Sequence, residues 1–108
     1  MQQLRPADVA GLLAAGPALL LDVREHDEFA HAAIHVEGTR TLHIPMNEVP
    51  RRLAELDPAQ PVLCVCHHGM RSAQVAMYLE RAGFAAVYNL AGGIDAWSLQ
   101  IDPAVPRY

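Results

Sequence analysis

The stretch VLCVCHHGMRS, residues 62–72, decides the fold because an apolar run, a cysteine and a helix start follow one another within it. The apolar and β-branched residues of Val62–Val65 predict a buried strand, which places Cys66 at the carboxyl end of that strand. From Ser72 onward apolar side chains recur at helical spacing, and Gly83 is placed to end the helix. A short loop that enters a helix N-terminus points unpaired N–H groups at its centre, where they favour an anion or a thiolate. The pattern therefore makes Cys66 a candidate nucleophile.

The length and composition limit the kinds of protein this can be. A chain of 108 residues predicts a single domain over residues 1–108, with an irregular C-terminal tail over residues 98–108. Eight basic residues, all arginine, against twelve acidic residues give a net charge of −4, which disfavours nucleic acid or an anionic membrane surface as a partner. No apolar run reaches the length of a membrane span, and no signal-peptide pattern is present. We expect a cytoplasmic monomer or weak dimer whose two cysteines are free thiols.

Strand and helix patterns alternate along the rest of the chain. The predicted strands are Gln2–Leu4 and residues 18–23, 41–44, 62–65 and 86–90, and the predicted helices are residues 6–15, 25–32, 47–56 (capped by Asn47), 72–82 and 94–97. Such alternation within one domain predicts an α/β fold, in which a mostly parallel sheet of about five strands carries helices on both faces. Sheets of this kind place ligands beyond the carboxyl ends of their strands, where both Asp22 and Cys66 fall.

Three blocks of the sequence, taken in order, resemble the single-domain rhodanese-like sulfurtransferases. The first is LLDVRE (residues 20–25) with EF (28–29) and HIPM (43–46), the second is CHHGMRS (66–72), and the third is GF (83–84) with Val87, Leu90, GG (92–93) and Trp97. The segment HVEGTR (35–40) departs from the family's pattern. The resemblance covers nearly the whole chain, and the fold it implies agrees with the α/β architecture predicted above.

The resemblance implies a reaction and a site. Cys66 would take a sulfane sulfur from a donor such as thiosulfate, become a persulfide, and pass the sulfur to cyanide or to a thiol, a thioredoxin-like or sulfur-relay protein among them. The loop positions implied to bind the donor are His67, His68, Gly69, Met70, Arg71 and Ser72. Asp22 and Arg24 would support the loop without touching the reacting atoms. The resemblance implies no cofactor and no metal.

Other functions are weighed by the size of the loop. Four residues separate Cys66 from Arg71, one fewer than in cysteine-dependent phosphatases, so the ring of N–H donors suits one sulfur atom better than a phosphoryl group. A phosphatase or an arsenate reductase is thus disfavoured, whereas a sulfur-relay or binding module without turnover stays open. Arg71 either contacts an anion or pairs with Asp22 or Glu25, and the sequence leaves both open.

Two neighbouring features have simpler interpretations. Cys64 lies in the middle of an apolar strand, so packing is expected rather than chemistry. The adjacent residues His67 and His68 lie near two cysteines, yet side chains at neighbouring loop positions should diverge, and no further metal ligands follow at the usual spacing. The sequence therefore leaves donor binding, tuning of Cys66 and simple exposure open for the two histidines.

Overall fold

A sheet of five strands forms the centre of the protein, in a computed structural model that describes residues 1–108. The strands are β1 (Gln2–Leu4), β2 (Leu19–Asp22), β3 (Thr41–His43), β4 (Val62–Val65) and β5 (Val87–Leu90). Their order across the sheet is β1-β5-β4-β2-β3, and each neighbouring pair is parallel. The predicted α/β class with a parallel sheet of about five strands is confirmed.

Helices cover both faces of this sheet. They are α1 (Val9–Ala15), α2 (His26–His31), α3 (Met70–Arg81) and α4 (Gly93–Gln100). Side chains of a strand alternate between its two faces, so the buried central strands contribute side chains to two separate cores, one on each face of the sheet. One core packs the sheet against α3 through Val75, Ala76 and Leu79, and the other packs it against α1 and α4 through Val9, Ile94 and Trp97. None of the helices has the length and apolarity needed to cross a bilayer.

The predicted helix over residues 47–56 is wrong. Two short 3-10 turns stand there instead, Met46–Glu48 and Pro50–Glu55, and Asn47 makes no cap hydrogen bond. The backbone bonds of this segment join residues three apart, from the N–H of Val49 to the carbonyl of Met46, of Arg52 to Val49 and of Leu56 to Leu53. Short pieces of chain commonly adopt this tighter helix.

Three helix boundaries also differ from the prediction by two residues or more. The helix α1 begins at Val9 rather than Pro6, because Pro6–Asp8 forms a 3-10 turn. The helix α3 begins at Met70 rather than Ser72, because the left-handed Gly69 before it completes the turn. The helix α4 runs on to Gln100, so residues 98–100 do not belong to the irregular tail. The remaining tail is irregular but held in place, since Val105 is buried and its carbonyl accepts a hydrogen bond from Ser98 Oγ at 2.6 Å.

The strand order places a topological switch point between β2 and β4. The chain leaves β2 toward β3 on one side and leaves β4 toward β5 on the other, so the connections diverge beyond the carboxyl ends of the two central strands. Parallel α/β sheets bind ligands at such a switch point. Asp22 ends β2 and Cys66 follows β4, so the topology brings both residues to this edge of the sheet.

The segment Gly92-Gly93 fastens α4 to the backbone beside Cys66. The N–H of Ile94 donates to the carbonyl of Cys66 at 2.9 Å, and the N–H of Asp95 donates to the carbonyl of His67 at 3.2 Å. Gly93 has φ +62°, and a Cβ there would lie 2.5 Å or less from the same two carbonyl oxygens. Only glycine allows this close contact between two backbone segments.

We expect Gly93→Ala to destabilise the protein by about 2–5 kcal/mol, since left-handed strain adds to an overpacked contact. Gly11→Ala is the matched control, because Gly11 lies within α1 and a Cβ there meets nothing within 4 Å. That control should stabilise by about 0.5–1 kcal/mol. Urea unfolding followed by Trp97 fluorescence measures both, and a Gly93→Ala variant as stable as the control would contradict the backbone argument.

Candidate active site

The sulfur of Cys66 lies at the floor of the cysteine loop, residues 66–72. Cys66 is 1% exposed, and its Sγ accepts hydrogen bonds from the backbone N–H of Gly69 at 3.0 Å and from the hydroxyl of Ser72 at 3.2 Å. Both donors would stabilise negative charge on the sulfur. The loop thus brings two of its six predicted binding residues directly to Cys66.

Gly69 gives the loop its shape. It has φ +100° and serves as the N-cap residue of α3, and the turn that it makes sends its own N–H back to the sulfur. A Cβ at this position would lie 3.2 Å from the carbonyl of Leu90 and from the N–H nitrogen of Gly92. A side chain here would therefore meet both backbone strain and crowding.

The first turn of α3 leaves three N–H groups unpaired. The backbone N–H groups of Met70, Arg71 and Ser72 have no acceptor in the protein, as the start of a helix requires. They carry the positive end of the helix dipole toward the cysteine loop. The side chain of Met70 is 77% exposed and lies outside the ring of donors.

Arg71 pairs with Glu28, a partner that the sequence did not reveal. Its two terminal nitrogens donate to the two carboxylate oxygens of Glu28 at 2.7 and 2.9 Å. The predicted partners Asp22 and Glu25 are therefore wrong. The guanidinium lowers the pKa of Glu28 from 4.5 to about 2, and the same contact raises the pKa of Arg71. This pair ties the first turn of α3 to α2.

Asp22 and Arg24 form a buried ion pair behind the loop. Arg24 is fully buried and donates from Nη2 to Asp22 at 2.7 Å and from Nε to the same carboxylate at 3.0 and 3.1 Å. Its remaining N–H groups bond the carbonyls of Glu28 and Ala32 and the hydroxyl of Tyr108. Neither Asp22 nor Arg24 touches Cys66. Arg24 thus ties the end of β2 to α2.

His67 and His68 stack on each other instead of diverging. Their ring centroids are 3.9 Å apart, and the ring of Tyr108 stacks on the other face of His67 at 3.9 Å. The hydroxyl of Tyr108 donates to Glu28 at 2.9 Å. Burial, followed by the nearby His68, lowers the pKa of His67. Tyr108 therefore forms one side of the site together with His67 and His68. The sequence of the irregular tail did not indicate this position.

Asn89 is a further residue of the site that the sequence patterns did not indicate. Its amide nitrogen donates to the carbonyl of Gly69 at 3.0 Å, and its amide oxygen is a second acceptor within reach of the Ser72 hydroxyl, whose single hydrogen can go either to Asn89 or to Cys66. A polar residue inside the apolar strand β5 was the available signal, because an amide that is buried needs partners. Asn89 thus contacts the cysteine loop at Gly69 and Ser72.

Cys64, the other cysteine of the chain, lies in the core. Cys64 is fully buried in the α3 core, and burial, with a smaller contribution from Cys66, raises the pKa of its thiol. This agrees with packing as its role. No group of three or more His, Cys, Asp or Glu side chains is arranged to hold a metal ion.

A family model and several known proteins match most of the chain. The model of the rhodanese-like domain matches residues 5–100. The chain belongs to the rhodanese-like domain family. It is 37% identical over 84 residues to a protein of Bacillus subtilis named "Putative sulfurtransferase YtwF", a match that covers 78% of this chain and 77% of that protein. It is also 38% identical over 91 residues to the rhodanese-like/PpiC domain-containing protein 12, chloroplastic, of Arabidopsis thaliana, covering 84% of this chain but 30% of that protein.

Solved structures show the same rhodanese fold. A rhodanese-related protein from Thermoplasma volcanium superposes with a TM-score of 0.82 at 26% identity over the full length of both chains. A rhodanese-like domain protein from Staphylococcus aureus gives 0.77 at 28% identity, covering 100% of this chain and 99% of that one. The resemblance drawn from the three sequence blocks is confirmed, and sulfur transfer is supported at the level of the family.

The pair between Glu28 and Arg71 predicts a dependence of stability on pH. The folded state lowers the pKa of Glu28 to about 2, so the pair stabilises the protein fully above about pH 4.5 and progressively less as the pH falls toward 2. We expect Glu28→Gln to cost about 1–2 kcal/mol at pH 7, after allowance for the partial exposure of Arg71. The free energy of unfolding, measured in urea at several pH values, should show this difference vanish near pH 2.

Glu37→Gln is the matched control for this measurement, because Glu37 is exposed and makes no ion pair. Its stability should follow that of the unmodified protein at every pH. A difference for Glu28→Gln that stays constant from pH 7 to pH 2 would show that the carboxylate charge is not what Arg71 holds.

Proposed function

We propose that the protein is a sulfurtransferase that carries a sulfane sulfur as a persulfide on Cys66. The observation that supports this most directly is the pair of donors aimed at Cys66 Sγ, the N–H of Gly69 and the hydroxyl of Ser72. Both hydrogen-bond partners of the sulfur are donors, and neither is a histidine or a carboxylate. Attack on a sulfane sulfur takes no proton from the donor, so a stabilised thiolate suffices.

The proposed reaction has two displacements on sulfur. With thiosulfate, the Cys66 thiolate attacks the outer sulfur, the S–S bond of thiosulfate breaks, and sulfite leaves with the bonding electron pair. An acceptor thiolate or cyanide then attacks the outer sulfur of the persulfide, and the Cys66 thiolate leaves. Each step forms one bond to sulfur and breaks one, so no external oxidant or reductant is needed.

The loop supplies the electrostatic part of this reaction. The unpaired N–H groups of Met70, Arg71 and Ser72 are available to the outer sulfur of a persulfide and to the negative charge of the donor. The guanidinium of Arg71 is held by Glu28, so its proposed role is to hold the first turn of α3 in place. His67 and His68 would line the path along which the donor reaches Cys66.

A sulfur relay dedicated to one partner is the second candidate. The chain is 37% identical over 79 residues to a protein of Bacillus subtilis named "Putative sulfur carrier protein YrkF", of which the match covers 40%. In that case the acceptor would be the reactive cysteine of a protein rather than a small thiol. The free thiols of Cys64 and Cys66 fit work in a reducing compartment, which we take to be the cytoplasm.

The test is uptake of sulfur by the protein itself. After incubation with thiosulfate, the intact mass should rise by one sulfur atom and an equal amount of sulfite should appear. Cys66→Ser should abolish both, whereas the control Cys64→Ala should keep both, because Cys64 is sealed in the core. Release of the bound sulfur to a small thiol, or only to a thioredoxin-like protein, separates the enzyme from the dedicated relay.

Two results would contradict the proposal. One is no gain of sulfur on Cys66 from thiosulfate or from low-molecular-weight persulfides. The other is turnover of an aryl phosphate ester that depends on Cys66, which would restore the phosphatase that the loop length disfavours.

A further inference from the structure

Asn89 is held in one orientation under the cysteine loop. It is 1% exposed, and its Nδ2 donates to the carbonyl of Gly69 at 3.0 Å and to Oε1 of Gln3 at 2.9 Å. These two bonds use both hydrogens of the amide nitrogen. The amide oxygen must therefore face the remaining neighbour, the hydroxyl of Ser72.

The hydroxyl of Ser72 has one hydrogen and two neighbours that can accept it. One is Oδ1 of Asn89 and the other is Sγ of Cys66, 3.2 Å away. When Cys66 is a thiol, its S–H can donate to Ser72 Oγ, and the hydroxyl donates onward to Asn89. When Cys66 carries a negative charge, the hydroxyl hydrogen has to turn toward the sulfur. Ser72 is fully buried, so bulk water does not compete for it.

The helix offers Ser72 another place for that hydrogen. A serine in the first turn of α3 can donate to the backbone carbonyl three or four residues earlier, which here means Gly69 or His68. Asn89 opposes this in two ways, because its nitrogen already donates to the carbonyl of Gly69 and its oxygen already accepts from the hydroxyl of Ser72.

We propose that Asn89 is a positioning residue for Cys66, which acts by holding the hydroxyl of Ser72 where one rotation about its Cβ–Oγ bond donates the hydrogen to the sulfur. The inference rests on the proposed function only in naming the charged sulfur as the thiolate that attacks the donor and later leaves the persulfide. Asn89 itself touches no reacting atom. Its effect must therefore pass through Ser72.

A double-mutant cycle tests this dependence. The readout is the rate at which Cys66 reacts with iodoacetamide at one pH, with the modified residue identified by fragment-ion mass spectrometry. Asn89→Ala and Ser72→Ala should each slow the reaction about tenfold, the loss expected for one hydrogen bond to a charged group. The double variant should also be slowed about tenfold rather than about a hundredfold, because both changes remove the same bond.

A matched control and a second variant guard against a general loss of structure. Asn47 is the other asparagine of the chain, exposed and without a side-chain hydrogen bond, and Asn47→Ala should react within about twofold of the unmodified protein. Asn89→Asp keeps an oxygen facing Ser72 but makes it a stronger acceptor than the amide. It should slow alkylation more than Asn89→Ala does and lower the ultraviolet absorbance of the Cys66 thiolate. The same change made in the Ser72→Ala background should lower both much less, which separates an effect through Ser72 from direct repulsion between the new carboxylate and the thiolate.

Three outcomes would overturn the inference. The first is a double variant whose alkylation rate falls by the product of the two single effects. The others are an Asn89→Ala variant or an Asn89→Asp variant that reacts at the unmodified rate. Alkylation needs no sulfur donor, so the cycle can show coupling even if thiosulfate leaves the protein unmodified. In that event the positioning role of Asn89 stands and the proposed sulfur transfer fails. Normal sulfur uptake with no coupling in the cycle would leave the proposed sulfur transfer standing and remove the positioning role of Asn89.

Discussion

The site depends on how the backbone of the cysteine loop is satisfied. To aim N–H groups at Cys66, the loop must turn its carbonyl groups outward, and carbonyls inside a protein need donors. Those of Cys66 and His67 receive the N–H groups of Ile94 and Asp95 at the start of α4, and that of Gly69 receives the amide of Asn89. The inward-facing donors and the outward-facing acceptors are two sides of one arrangement. This is why residue 93 has to be a glycine.

The charged side chains around the loop cancel one another. Asp22 pairs with Arg24 and Glu28 pairs with Arg71, so these four groups add no net charge beside the cysteine. The field at Cys66 is therefore set by fixed dipoles, the loop N–H groups and the N-terminal end of α3. Dipoles held in place by packing need little rearrangement when charge moves between a donor and the sulfur, which suits a reaction with an anionic thiolate at its start and its end.

The strands, the helix α3 and the position of Cys66 could be predicted from the sequence. Hydrophobic periodicity and a loop before a helix are both recognised within a few consecutive residues. Contacts between distant side chains were not readable in this way. Glu28 and Arg71 are 43 residues apart, and Tyr108 and Glu28 are 80 apart. The 3-10 turns before Leu56 were missed for a different reason, since the apolar spacing there does not distinguish an α-helix from a 3-10 helix.

The two cysteines share a strand face yet have different environments. Side chains two residues apart on a strand lie roughly 7 Å from each other, too far for the short Cβ–Cβ distance of a disulfide. Cys64 packs in the core, where burial raises the pKa of its thiol, whereas Cys66 sits just beyond the strand, where the loop donors begin. A persulfide on Cys66 therefore has no resolving thiol within the chain. In the proposed reaction the sulfur leaves only when an acceptor arrives from outside, which makes the exposed rim of the cysteine loop the place where the acceptor is chosen.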